Sequence, residues 1–179
     1  MAGRTLLCLV LDDVAPELLP IRREFHPGAV ARKLPLHVTL LYPFVPWEEC
    51  DDAVLARVRR VCGRTERLMF SLGGITTFPG GFVCVEPEPD AGIRALMRAL
   101  WQEFPETPPY AGEVDDPHPH ATLGWSPDGR EDQGLADAVR ARAAPLLPFP
   151  CVVDAVALLV EGRLERWRQQ ELIPLRGRS

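Results

Sequence analysis

The chain reads as an α+β protein, and three observations predict it. Residues 5–11 and 68–78 are short apolar or alternating runs with the period of two that belongs to strands. Residues 90–104 repeat apolar side chains every three or four positions, as a helix does. The order strand, helix, loop, strand, helix, strand then occurs twice, over roughly 5–78 and 82–160. Such a repeat is what duplication leaves, so one domain over 1–179 built from two similar units is expected.

Residues 5–11 are apolar enough for a buried strand, and Asp12 or Asp13 is placed to cap a helix running to Phe25. Pro16 fits the first turn of that helix, whereas Pro20 should kink or shorten it. His26-Pro27-Gly28 breaks the pattern, and 29–36 reads as a loop bringing Arg32 and Lys33 towards the strand Leu36-His37-Val38-Thr39-Leu40-Leu41. Pro46 opens a helix ending near Cys62, with Val54, Leu55, Val58 and Val61 along one stripe. Strands over 68–78 and 82–86 form a hairpin about Pro79-Gly80-Gly81. Asp90 caps the following helix, whose stripe is Ile93, Leu96, Met97 and Leu100. Residues 105–118 form a loop rich in proline and acid, and a strand from His120 to Trp125 follows it. A helix over 131–144 leads to strands at 151–160 and 164–175, which close the chain as a long hairpin joined at Glu161-Gly162 and carrying Trp167.

Composition narrows the function. With 25 acidic and 20 basic residues the net charge is −5, which is no footprint for long duplex nucleic acid. All the basic residues but Lys33 are arginine, a skew of base composition rather than of function. Five cysteines with no CxxC pair read as buried thiols in a reducing cytoplasm. No apolar run reaches membrane-spanning length, and the N-terminal run leads into a strand rather than a signal peptide. The glycine pairs match neither a P-loop nor a dinucleotide fingerprint, and no Gly-x-Ser-x-Gly elbow is present. Oligomeric state is not legible.

Two tetrapeptides carry chemistry: His37-Val38-Thr39-Leu40 and His120-Ala121-Thr122-Leu123, each with an aromatic residue five positions after its histidine, Tyr42 and Trp125. On a strand, residues i and i+2 face the same way, so each motif presents an imidazole beside a hydroxyl. An imidazole titrates near neutrality and can take or give a proton, while a threonine hydroxyl donates to an anionic oxygen. Two such pairs facing one another supply a base, an acid and two donors around a small anion. Phosphodiester hydrolysis needs that set when no metal takes part.

The doubled His-x-Thr-Leu and the element order around it resemble the two-histidine phosphoesterase superfamily, which includes bacterial 2',5'-RNA ligases and RNA 2',3'-cyclic phosphodiesterases. The resemblance covers nearly the whole chain. It implies a bilobed fold of two pseudo-symmetric, mostly antiparallel sheets with outer helices, and a central cleft carrying both motifs. It further implies metal-independent hydrolysis of a 2',3'-cyclic phosphate on a nucleotide or RNA 3'-terminus, without a cofactor, and possible reversal to 2',5'-ligation. His37 and His120 would be the catalytic acid and base; Thr39 and Thr122 would bind the non-bridging oxygens. Tyr42, Trp125, His118 and Arg130 are further candidates for substrate contact, with Arg163, Arg166 and Arg168 behind them. Two alternatives remain: a nucleotide- or RNA-binding module with little turnover, and a metal-dependent hydrolase using His118-x-His120 with Asp115 and Asp116. The acidic loop before His120 and the acidic net charge leave the substrate's size open.

Overall fold

A computed structural model describes residues 3–114 and 116–177. Its strands are β1 (Thr5–Val10), β2 (His37–Leu41), β3 (Leu68–Phe78), β4 (Phe82–Glu88), β5 (Ala121–Trp125), β6 (Phe149–Val153), β7 (Ala155–Glu161) and β8 (Trp167–Pro174). They form one sheet in the order β6-β3-β4-β5-β2-β1-β7-β8, every neighbouring pair antiparallel. The order divides into two halves of four strands, each with its motif strand innermost. The halves meet through a single pair of residues, Val38 and Ala121. The two expected sheets are therefore the halves of one, nearly parted at its centre.

The helices among the described residues are α1 (Leu19–Phe25), α2 (Pro27–Ala31), α3 (Asp52–Cys62), α4 (Ala91–Glu103) and α5 (Gln133–Ala143); α1, α3, α4 and α5 cover one face of the sheet, and α2 packs on α1. Their placement is crossed, since α1 packs behind β5 and α4 behind β2. The main core lies between this layer and the sheet, where Leu9, Val38, Leu40, Val83, Ala121 and Leu123 meet Ile21, Leu96, Leu100 and Phe104. Each fully buried leucine there contributes about 1.5 to 3 kcal/mol relative to exposure. A smaller cluster, Leu6, Cys8, Ala157, Leu159 and Trp167, lines the opposite face beneath Leu34 and Tyr42. β1 and β7 are thus buried on both faces, which explains their unbroken apolar runs. No helix among the described residues is long and apolar enough to cross a membrane.

Local chemistry accounts for the departures from the expected elements. Asp12 does not cap a helix; its carboxylate accepts from the Leu36 amide at 2.7 Å and so pins the entry to β2. A short 3-10 turn at Pro16–Leu18 precedes α1, which begins where Pro20 falls in its first turn and needs no amide donor. Pro27 starts the short helix α2 inside the stretch expected as loop. Asp51 and Asp132 cap α3 and α5, accepting from Val54 at 2.9 Å and Leu135 at 3.0 Å. Asp90 instead holds Arg94 at 2.5 Å.

The largest correction concerns 151–160, which is two strands. β6 pairs with β3 at one edge, whereas β7 pairs with β1 and β8 in the other half. The chain parts at Asp154, the one charged residue between Phe149 and Val160. The closing hairpin is therefore β7 with β8 alone. All five cysteines are buried and free.

Candidate functional site

Val38 and Ala121 are fully buried in the core, so the residues flanking them point to the opposite face. Those residues are His37, Thr39, His120 and Thr122, all half-buried. Carried one position either way, the Val38–Ala121 register sets His37 across from Thr122 and Thr39 across from His120. That register pairs each imidazole position with the other motif's threonine position.

The two rings are held alike. Nδ1 of His37 lies 2.8 Å from the Pro35 carbonyl oxygen, and Nδ1 of His120 lies 2.7 Å from that of His118. A carbonyl only accepts, so each Nδ1 carries the hydrogen and each neutral ring presents a bare Nε2. Burial pushes His37 down to about 4, against the pull of the Pro35 carbonyl; Arg22, His120 and His26 lower it further. Burial also lowers His120, opposed by the His118 carbonyl and by the carboxylate of Glu86. His37 and His120 flank the Val38–Ala121 pair on the same face of the sheet.

Cross-strand neighbours complete the floor. Cys8 lies beside Thr39 and Cys84 beside Thr122, with Cys84 Sγ 3.6 Å from Thr122 Oγ1. Burial pushes the Cys84 thiol up to about 12 and Cys8 up as well, so both pack as neutral groups rather than act as nucleophiles. Phe78 stacks on His120, ring centroids 4.5 Å apart. Beside His37 and Thr39 a pocket of about 220 Å³ is lined by Arg4, Arg32, Leu34, Tyr42, Glu161 and Trp167, among others. Tyr42 meets Trp167 edge-on at 6.4 Å, and its hydroxyl accepts from Arg4 at 3.2 Å. A larger cavity of about 390 Å³ between residues 64–70 and α4 holds no imidazole and no part of either motif.

The remaining candidates are placed differently. The His118 imidazole turns outward to Arg94, 2.7 Å away, and only its carbonyl serves His120. The Arg94 guanidinium takes up His118 Nδ1, and among the described residues no three His, Cys, Asp or Glu side chains are grouped so as to hold a metal ion; Asp115 lies outside those residues. Trp125 and Arg130 belong to the far end of β5. The Trp125 indole donates to Gly80 at 3.1 Å and lies near His26 and Phe82, while Arg130 is exposed on the turn that Asp128 holds.

Several residues at the site went unread in the sequence. Tyr110 folds in from the acidic loop, its amide donating to the Tyr42 carbonyl at 2.6 Å and its half-buried phenol lying near Thr39. Phe78 and Glu86 arrive from strands, and Arg4 from just before β1, and the neighbours of these strands are set only by the sheet order. Phe78 and Glu86 lie on strands that were legible, but what they face was not.

A family model described as the 2'-5' RNA ligase superfamily matches residues 10–165. Among solved structures, Escherichia coli LigT complexed with 3'-AMP is 15% identical at a TM-score of 0.62, over 98% of this chain and 99% of that one. A Thermus thermophilus protein is 18% identical at 0.65, over 98% and 100%. A structure described as a phosphoesterase is 16% identical at 0.64, over 98% and 99%. At such identities the likeness is one of fold. No curated protein sequence matches the chain.

Proposed function

The chain belongs to the 2'-5' RNA ligase superfamily, and from that premise we propose that it hydrolyses a 2',3'-cyclic phosphodiester on a nucleotide or a short RNA 3'-end without a metal. Chemistry of phosphoesterase or ligase type is what the family supports. The observation that carries the finer reading is the matched pair of imidazoles on adjoining strands, each with Nδ1 tied to a carbonyl and Nε2 free. One ring, neutral, takes the proton of a water attacking phosphorus; the other, protonated, gives its proton to the departing ribose oxygen. Thr39 and Thr122 donate to the non-bridging oxygens, where negative charge grows in the transition state. Run backwards, the same groups join a cyclic phosphate end to a hydroxyl.

The pocket beside His37 fits a nucleotide-sized group. Tyr42 and Trp167 offer aromatic surface for a base, and Arg4 and Arg32 supply positive charge, partly neutralised by Glu161 and Glu165. E. coli LigT has been solved with 3'-AMP, with ATP and with NADP+, so nucleotides are accommodated by that protein of similar fold. A pocket this small and a net charge of −5 favour a mononucleotide or RNA terminus over duplex.

The test is turnover of 2',3'-cyclic nucleotides and short cyclic-ended RNAs, with product position read by phosphorus NMR. His37→Ala and His120→Ala should each lower the rate by about 10² to 10⁴ with the fold intact, and a chelator should leave the wild-type rate unchanged. An undiminished rate in either variant ends the reading.

A further inference from the structure

Both motif imidazoles are tied to a carbonyl two residues back along the chain, Pro35 for His37 and His118 for His120. What holds those carbonyls differs. Ahead of β2 the backbone is fastened on both sides of Pro35: the Leu36 amide donates to Asp12 at 2.7 Å, the Leu34 amide to the Ala29 carbonyl at 3.0 Å, and Arg22 Nη1 to the Leu34 carbonyl at 2.6 Å. Ahead of β5 the segment reads Pro117-His118-Pro119, and a proline has no amide hydrogen to give. Among the described residues no hydrogen bond between backbone groups fixes 117–119.

A side chain makes the tie there instead. Arg94, one turn into α4, spreads its guanidinium over three partners: Nε donates to Asp90 at 2.5 Å, Nη1 to Asp116 at 3.3 Å and Nη2 to His118 Nδ1 at 2.7 Å. A guanidinium only donates, so Nδ1 of His118 is the acceptor. Asp90 lies at the start of α4 and braces the arginine, while the other two arms grip both ends of the stretch from Asp116 to His118. The Arg94 side chain is only 18% exposed, which makes these contacts stronger than ion pairs on an open surface.

Resting on the two-histidine reading above, we propose that Arg94 is a positioning residue: through His118 it fixes the carbonyl that holds the hydrogen on Nδ1 of His120. It does for the second motif what Asp12 and Arg22 do for the first. The two braces differ in kind. Arg22 is buried and grips backbone, whereas Arg94 grips Asp116 and His118, both exposed. Removing the guanidinium or its imidazole partner therefore frees the ring of His120 and leaves that of His37 held. An imidazole whose Nδ1 has lost its acceptor divides between two tautomers, so its Nε2 is no longer presented in one state and one direction.

The chain has four histidines, few enough for each ring to be assigned by single replacement in NMR of the imidazole nitrogens. In mildly alkaline solution, where the rings are neutral, His37 and His120 of the native protein should both carry hydrogen on Nδ1. In Arg94→Ala the His120 signals should move to a mixture of tautomers while those of His37 stay. His118→Ala removes an exposed ring and keeps the carbonyl, so it carries the test should Arg94→Ala fail to fold. It should move His120 equally, and the double variant should move it no further. On a 2',3'-cyclic nucleotide kcat should fall about ten- to a hundredfold in each variant, as when an outer partner that orients an imidazole is lost. KM should hold, because neither side chain lines the pocket beside His37. A single Nδ1–H tautomer at His120 in both variants, or a shift at His37 as large as that at His120, overturns the proposal. Mixed tautomers with kcat undiminished would instead refute the two-histidine mechanism on which the proposal rests, and the unchanged rate tells that failure apart.

Discussion

His26 shows how burial at a single residue becomes a property of the whole protein. It is 7% exposed, its Nδ1 has no partner among the described residues, and its ring lies 5.7 Å from Trp125. Burial, then Arg22 and Arg32, push it from 6.5 down to about 4. The native state thus rejects a proton that the unfolded chain accepts. The contribution to stability is complete above about pH 6.5 and is lost as pH falls towards 4. Denaturant unfolding at pH 7 and pH 4 should show His26→Phe losing less stability than wild type on acidification, by up to about 3 kcal/mol. Equal losses in the two proteins would mean that His26 is protonated in the fold. His37 is pushed down for the same leading reason. At this scale the two histidines and their threonines were legible because a strand's alternation is local. Glu86, Tyr110 and Phe78 were not, because what faces an imidazole depends on which strand or loop lies next to it.

Elements were legible wherever their ends carry their own chemistry. The β3–β4 hairpin follows from Pro79-Gly80-Gly81, and Gly80 and Gly81 do adopt φ of 89° and 78°, the left-handed region that favours glycine. Caps show the limit of such reading, since an aspartate before a helical stripe is a cap only if the backbone turns to meet it. Asp51 does so, and Asp13 is exposed with no helix amide on it. Asp51→Ala should lower stability by about 1 kcal/mol, and Asp13→Ala should change it by less than about 0.5, both measured by urea unfolding. A cost at Asp13 as large as at Asp51 would contradict the start of α1 at Leu19. The run 151–160 was misread for a related reason. β6 alternates, with Cys151 and Val153 inward and Val152 outward, whereas β7 is buried on both faces, and one window cannot separate two short strands that serve different neighbours.

At the scale of the molecule, the proposed duplication explains why the two units cannot stand apart. β3, the last strand of the first unit, pairs with β4 and β6 of the second, while β7 of the second pairs with β1 of the first. Helices cross in the same sense, α1 behind β5 and α4 behind β2. Fragments 1–80 and 81–179 should each lack cooperative unfolding by circular dichroism and regain it when mixed. A cooperative transition in the first fragment alone would show that the exchange of strands is dispensable. What the sequence by itself determined is the α+β class, most of the elements and the two histidine–threonine pairs, because propensity, alternation and turn chemistry act within a few residues. Tertiary structure alone decided that the halves share one sheet, that the two motifs sit in register across its centre, and that β4 brings Glu86 alongside the His120 end of β5. Those facts follow from strand order and register, which are set by the burial of both faces of the sheet at once and leave no mark in any short stretch of chain.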